Sequence, residues 1–252
     1  VLMTAPGHSL AELADLGGSL YAAEEARTVR IGFVGCGNRG SFVADIVKDN
    51  PGLELTAAAD YFEDRVAKFG ETFGVPQDKR FTGLDGIHKM IASGEIDAVA
   101  VHSPPYFHVE HARAAVAGGK HVLVAKPVAI DVPGCDEMVK LAKAAAEKGL
   151  VVLADVQCRG DQFFQEAIKR VHDGAIGDLC FGECNYEADT IPAQSTEKTP
   201  EARLRNWVRY RDLGGDIITE QNIHALDIVS WAHGQPLRAT GINGRGARLD
   251  DI

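Results

Sequence analysis

The sequence predicts an α/β chain that opens with a doubly wound parallel sheet, and three observations lead there. Short apolar runs alternate with stretches of helical spacing from residue 28 to residue 155. A glycine-rich turn, Gly35-Cys36-Gly37-Asn38-Arg39-Gly40, joins the first run to the first helical stretch. An acid, Asp60, closes the second run. The chain has 252 residues, 45% of them hydrophobic and 25% charged, which is enough for one large domain or two modest ones.

Taken in order, Thr28 to Val34 is a β-branched apolar strand that meets the glycine turn. Ser41 to Lys48 follows with Phe42, Val43, Ile46 and Val47 at helical spacing. Leu53 to Ala59 is the second strand, and Phe62, Val66 and Phe69 mark a helix running to Gly74, so one strand-helix-strand unit is complete by residue 60. The alternation continues with a helix over Leu84 to Ala92, a strand over Ala98 to His102 and a helix after Pro105. A strand over His121 to Ala125, a helix over Pro133 to Lys148 and a strand over Val151 to Asp155 complete it. Such alternation implies a parallel sheet covered on both faces.

Beyond residue 155 the texture changes. A helix is predicted over Asp161 to His172, a strand over Leu179 to Glu187, a polar segment over 189 to 204, a helix over Gln221 to His233 after Gly214-Gly215, and a strand over Leu237 to Arg245. The expected division is an N-terminal extension, 1–27, without regular period, a nucleotide-binding domain, 28–155, and a partial α+β domain, 156–252.

Lys and Arg total 26 against 36 for Asp and Glu, a formal charge of −10 that opposes nucleic acid and anionic membrane surfaces as partners. A small-molecule partner is expected instead, and no apolar run has the length needed to cross a bilayer. The five cysteines, Cys36, Cys135, Cys158, Cys180 and Cys184, are scattered without a CxxC pair and read as reduced thiols. A cytoplasmic location is expected, with the periplasm after export as the alternative.

Three glycines at GxGxxG spacing are a weak signal alone; the preceding strand, the following helix and Asp60, 25 residues after Gly35, make it specific. Gly35 permits the tight turn, Gly37 lets the backbone approach a pyrophosphate, and Gly40 lets helix pack on strand. The free N–H groups of Asn38, Arg39 and Gly40 at the helix start face the phosphate charge. This is the fingerprint of a Rossmann dinucleotide site. Asp60 is placed to accept the adenosine ribose hydroxyls and to repel a 2′-phosphate, which favours NAD over NADP, while Arg65 nearby softens that preference.

Residues 102–108, from His102 through Ser103, Pro104 and Pro105 to His108, close the fourth strand and are expected to line the cofactor cleft at the carboxyl edge of the sheet. His108 and His111 have HxxH spacing without further ligands, so no metal is assigned. Lys126 ends the fifth strand at the same edge. Its position fits an exposed strand-end lysine as well as an ammonium that orients a substrate hydroxyl. Glu220, His224 and Asp227, at i, i+4 and i+7, share one face at the start of a helix. They read either as a carboxylate that raises the basicity of an imidazole or as a polar face with a capping acid.

The glycine loop, Ser103-Pro104-Pro105 with His108, the stretch Gly119 to Pro127, and Gly214-Gly215 leading to Glu220, His224 and Asp227 together resemble the Gfo/Idh/MocA oxidoreductases. The resemblance covers about residues 28 to 245. It implies a Rossmann domain followed by an α+β domain on a large, mostly antiparallel open sheet, incomplete in this chain. It also implies that Lys126 and His224 face the nicotinamide, with Glu220 in the place of the family's usual aspartate. Trp207 and Arg209 resemble the family's tryptophan-containing segment beside cofactor and substrate, and Gln157 and Arg159 are expected to meet sugar hydroxyls. Two positions depart from the pattern: Ala125 replaces the glutamate before Lys126-Pro127, and Asn222 replaces a glycine.

The function these features imply is hydride transfer from a secondary hydroxyl of a sugar, sugar derivative or cyclic polyol to NAD, with NADP as the alternative cofactor. His224 takes the proton, Lys126 positions the oxygen and Glu220 orients the imidazole. The rivals are a glycoside-cleaving enzyme that oxidises its sugar transiently and recycles bound NAD, and a sugar or nucleotide sensor without turnover. A homo-oligomer is expected by analogy.

Overall fold

A computed structural model of the chain describes residues 28–188 and 191–242. The expected extension, 1–27, and residues 243–245 of the last expected strand lie outside the described residues. The described chain forms two compact units, residues 28–156 with 188 and 191–221, and residues 157–187 with 222–242.

The first unit is built on a six-stranded sheet: β1 (Val29–Val34), β2 (Leu53–Asp60), β3 (Arg80–Thr82), β4 (Ala98–Val101), β5 (His121–Ala125) and β6 (Val152–Asp155). The order is β3-β2-β1-β4-β5-β6 and every pairing is parallel. Chain order reverses between β1 and β4, so a crevice opens there beyond the carboxyl ends of the strands. The connecting helices are α1 (Asn38–Lys48), α2 (Glu63–Phe73), α3 (Gly86–Ala92), α4 (His108–Ala117) and α5 (Val132–Ala146).

Burial on both faces explains why the strands read as apolar runs rather than as alternation. On one face Phe33, Ala58 and Ala100 meet Val43, Ala44 and Val47 of α1 and Val66 and Phe69 of α2. On the other, Val34, Ala59, Val99, Val101 and Val124 meet Ile87 and Met90 of α3, Ala112 and Val116 of α4, and Met138 of α5. Local signals set the helix ends. Gly74 adopts φ +73° after α2, and Asp131 caps α5 by accepting from Gly134 N at 2.8 Å. The strand β3 went unread because three residues carry too little pattern.

The polar segment expected in the second domain clusters instead with the first unit, where residues 191–221 form three short helices, α8 (Pro200–Arg205), α9 (Arg211–Gly214) and α10 (Ile217–Glu220). Thr199 caps α8, and Asn206, 8% exposed, holds Gln194 N at 2.6 Å and accepts from Ser195 N at 3.3 Å. The Arg205 guanidinium pairs with Asp64 at 2.6 Å and lies 3.8 Å from the Phe62 ring centroid.

The second unit contains α6 (Gln157–Gly160), α7 (Gln162–His172) and α11 (Ile223–His233). Asp161 caps α7, accepting from Phe163 N at 2.8 Å. The strands expected over Leu179–Glu187 and Leu237–Arg245 are corrected: residues 179–187 and 237–242 carry no strand pairing, and Phe181 and Leu237 face solvent. A strand is defined by its backbone partner, and among the described residues no second strand lies alongside either segment.

Candidate functional site

The glycine turn forms a cradle of backbone. Gly35 adopts φ +95°, and a Cβ there would lie 2.3 Å from the His102 carbonyl carbon; a Cβ on Gly40 would lie 2.0 Å from the Gly35 oxygen. Neither position admits a side chain without moving the main chain, which is the close approach a dinucleotide loop requires. Gly37 is open on its Cβ side apart from Arg65 Nη1 at 3.7 Å. Gly37 precedes α1, whose first residues are Asn38, Arg39 and Gly40, so their N–H groups are the unsatisfied donors of a helix start.

Asp60, 8% exposed at the end of β2, braces this loop. Its Oδ2 accepts from Cys36 N at 2.7 Å and its Oδ1 from Phe62 N at 2.9 Å. Burial raises its pKa, and the two backbone donors with Arg65 pull the other way. Each oxygen keeps a second lone pair for a ribose hydroxyl. A cavity of about 480 Å3 borders the loop, within the range of small-molecule sites. Gly35, Gly37, Asn38, Arg39, Asp60, Ser103, Pro104, Trp207 and Glu220, all expected at the site, line it. Phe62, Arg65, Gln194 and Arg205 also line it, and sequence reasoning missed the last two because they reach it only through the folded-back segment.

Several expected site residues hold other parts of the protein. His108 is 1% exposed, with Nδ1 2.7 Å from the Pro127 oxygen and Nε2 2.7 Å from the Ser103 oxygen. Two acceptors would favour a doubly protonated ring, but burial dominates and lowers its pKa to about 4. The expectation that it faces the cofactor is thus corrected: the His108 ring is packed between the Ser103 turn and the Lys126-Pro127 turn, and when neutral donates to one of the two carbonyls. Ser103 Oγ in turn lies 2.9 Å from Nδ1 of His111, whose pKa burial lowers to about 3. Arg39 reaches past the loop to Asp155 at the end of β6 and forms a short ion pair with it. Trp207 begins a 3-10 turn and packs its ring 3.4 Å from where a Cβ of Gly214 would sit. Arg209 donates to the Ile191 oxygen at 3.1 Å.

Lys126 is not an exposed strand-end lysine. Its ammonium donates to Glu220 Oε1 at 3.0 Å and also to the Glu220 backbone oxygen, and the two side chains are 18% and 16% exposed. Burial raises the Glu220 pKa, and Lys126 is the main opposing influence. Gly215 at φ +80° and Asp216 at φ +77° shape the turn that delivers Glu220. The helix expected over Gln221 to His233 is present as α11, but α10 ends at Glu220 and α11 starts at Ile223, so the expectation that Glu220, His224 and Asp227 share one helix face is corrected. Glu220 and His224 are therefore not one turn apart on a single helix.

In the second unit, His224 stacks on Tyr186 with centroids 5.6 Å apart. Arg159, expected at sugar hydroxyls, is held by Asp227 at 2.8 and 3.0 Å and lies 5.0 Å from the Trp231 ring. Gln157 is exposed at the start of α6. Among the described residues no group of three His, Cys, Asp or Glu side chains is placed to hold a metal, and no helix is long and apolar enough to cross a membrane.

Comparison with known proteins bears on this geometry. The model of an oxidoreductase family described by its NAD-binding Rossmann fold matches residues 29–154. An inositol 2-dehydrogenase of Saccharopolyspora erythraea is 32% identical over 166 residues, which is 66% of this chain and 47% of that protein. A glycosyl hydrolase family 109 protein of Streptomyces coelicolor is 31% identical over 166 residues, 64% of this chain and 34% of that protein. The chain thus spans about a third to a half of the length of these two relatives. Among solved structures, scyllo-inositol dehydrogenase of Lactobacillus casei with bound NAD(H) and scyllo-inositol shares the fold at a TM-score of 0.66 and 23% identity. The match covers 82% of this chain and 57% of that one.

Proposed function

The chain belongs to the Gfo/Idh/MocA oxidoreductase family, whose Rossmann fold binds NAD, and from that premise we propose a nicotinamide-dependent dehydrogenase acting on a secondary hydroxyl of a sugar, sugar derivative or cyclic polyol. The observation that carries the proposal is the Lys126 ammonium, held by Glu220 at the carboxyl edge of the sheet that also carries the glycine loop. The residues present fit the cofactor: a side-chain-free cradle at Gly35 and Gly40, helix-start N–H groups, and a buried carboxylate at Asp60. Bound NAD supplies the hydride acceptor.

The chain's own residues do the remaining work. The loop N–H groups neutralise pyrophosphate charge, and Asp60 keeps the loop in register and disfavours a 2′-phosphate. An ammonium has three donors, and Glu220 takes two of those on Lys126. The third is free to hold a substrate oxygen and to stabilise negative charge as its proton leaves. His224 keeps the general-base role that the resemblance assigns it, with Tyr186 against its ring. Glu220 is a positioning residue for Lys126. A homo-oligomer is expected by analogy with the family.

The identity to family 109 glycosyl hydrolases supports a second reading, in which the same oxidation is transient and the sugar leaves its aglycone before the cofactor is restored. Net NADH separates the two: a dehydrogenase accumulates it, and a self-recycling enzyme releases aglycone without it. The role of Lys126 is tested by Lys126→Ala, expected to lower turnover at least a hundred-fold while changing NAD affinity about three-fold or less, from the size of general acid-base contributions. Retained turnover would remove Lys126 from the reaction.

A further inference from the structure

Among the described residues, His102 is a partly buried residue for whose side chain the proposed function has no use. Both of its ring nitrogens are buried without a hydrogen-bond partner. The Ala100 carbonyl acts on the ring without a bond of acceptable geometry. The ring stacks on Phe33 at 5.6 Å and 15°, and the residue lines the same cavity as the glycine loop. Burial lowers its pKa to about 4, so the imidazole is neutral at ordinary pH and offers one N–H donor and one lone pair. That pairing of donor and acceptor matches a hydroxyl group, which also does both, better than a phosphate, which only accepts.

Its place in the sheet says which hydroxyl. Asp60 ends β2, the glycine loop follows β1, and His102 follows β4, and these strands are adjacent in the order β2-β1-β4. A dinucleotide whose adenosine ribose meets Asp60 and whose pyrophosphate lies on the loop therefore brings its second ribose over the end of β4. His102 lies one residue beyond the paired Val101 and Val124, which sets it beside Ala125; Ala125 in turn pairs with Asp155. The middle position of this row offers only a methyl group, and Asp155 is engaged by Arg39.

We propose that His102 is a further cofactor-binding residue that holds a hydroxyl of the nicotinamide-side ribose through its imidazole. The proposal rests on the dinucleotide reading above and adds a contact specific to this chain. Its test separates the two by titrating the protein with ADP, ADP-ribose and NADH, since ADP lacks the second ribose. His102→Phe keeps the aromatic stack on Phe33 and is expected to melt at or above the wild-type temperature, because two orphaned buried nitrogens are removed. It is expected to weaken ADP-ribose and NADH about ten-fold, the loss of one hydrogen bond, and to leave ADP unchanged. His102→Gln, with a donor and an acceptor of its own, should recover part of that loss. Equal weakening of all three ligands would show that the ring only supports the loop, and unchanged affinity for all three would remove His102 from the site; either overturns the proposal alone. Failure of the wild-type protein to bind any of the three overturns it together with the dinucleotide reading.

Discussion

Replacing Gly40 by alanine tests the cradle at the point where the structure leaves least room. The added Cβ would stand 2.0 Å from the Gly35 carbonyl oxygen and 3.2 Å from its carbon. Both are main-chain atoms, so no side chain can rotate away. Reaching a contact of 3.0 Å takes a displacement of about 1 Å, which shifts the helix start against the loop that faces the pyrophosphate. Overpacking of this kind costs about 1–3 kcal/mol, and a misplacement of about 1 Å in a binding constellation costs up to about a hundred-fold. Gly40→Ala is therefore expected to weaken NADH binding by about ten- to a hundred-fold. The same strain should lower the melting temperature by about 2–4 °C per kcal/mol that it costs. Gly52→Ala is the control, because its Cβ meets only the Asn50 side chain, at 3.4 Å. Fluorescence titration with NADH and thermal melting of both variants make the comparison. Wild-type affinity in Gly40→Ala would refute the claim that this turn is the dinucleotide cradle.

Other expectations follow from the buried groups. Lys126→Ala strands the Glu220 carboxylate, and because breaking a buried pair costs about 3–5 kcal/mol, discounted here for 16–18% side-chain exposure, a loss of about 1–3 kcal/mol is expected in urea unfolding. The double variant Lys126→Ala with Glu220→Gln should recover part of it, and no recovery would mean that the pair is not coupled. His108 is neutral when folded, with its pKa lowered to about 4, while the unfolded chain protonates near about 6.5. The stability this contributes is present above about 6.5 and is lost as pH falls towards 4, at up to about 1.4 kcal/mol per pH unit. His108→Gln should flatten that part of the pH profile, and an unchanged slope would assign it elsewhere. Glu220 has the opposite sign: its raised folded pKa gives stability below the ordinary carboxylate range that is lost as pH rises through the folded value. Glu220→Gln should remove that loss from a melting profile taken upward through the ordinary carboxylate range.

Particular residues show what could be read from sequence and what could not. The spacing of Gly35, Gly37 and Gly40 is a local backbone requirement, so the loop, its strand and its helix were all legible. Asp60 was legible as the acid at the end of β2, but its bonds to Cys36 N and Phe62 N, which make it a brace for the loop, depend on side-chain direction. His108 looked like a cleft residue because it is polar and follows the turn; its two carbonyl neighbours come from separate turns and only the fold reveals them. The link between Lys126 and Glu220 spans 94 positions and leaves no periodic trace. The segment over Leu179–Glu187 has the composition of a strand, yet pairing is decided by another segment, so composition alone misassigned it.

The proposed activity is oxidation of a hydroxyl by hydride transfer to a nicotinamide dinucleotide. A panel of sugars, cyclic polyols and aryl glycosides incubated with oxidised NAD, with NADH absorbance and released aglycone followed together, tests it most directly. NADH is expected to accumulate with at least one polyol or sugar, and this accumulation to be abolished in Lys126→Ala. Wild-type protein that binds neither NADH nor NADPH in titration, and forms no NADH with any member of the panel, would contradict it.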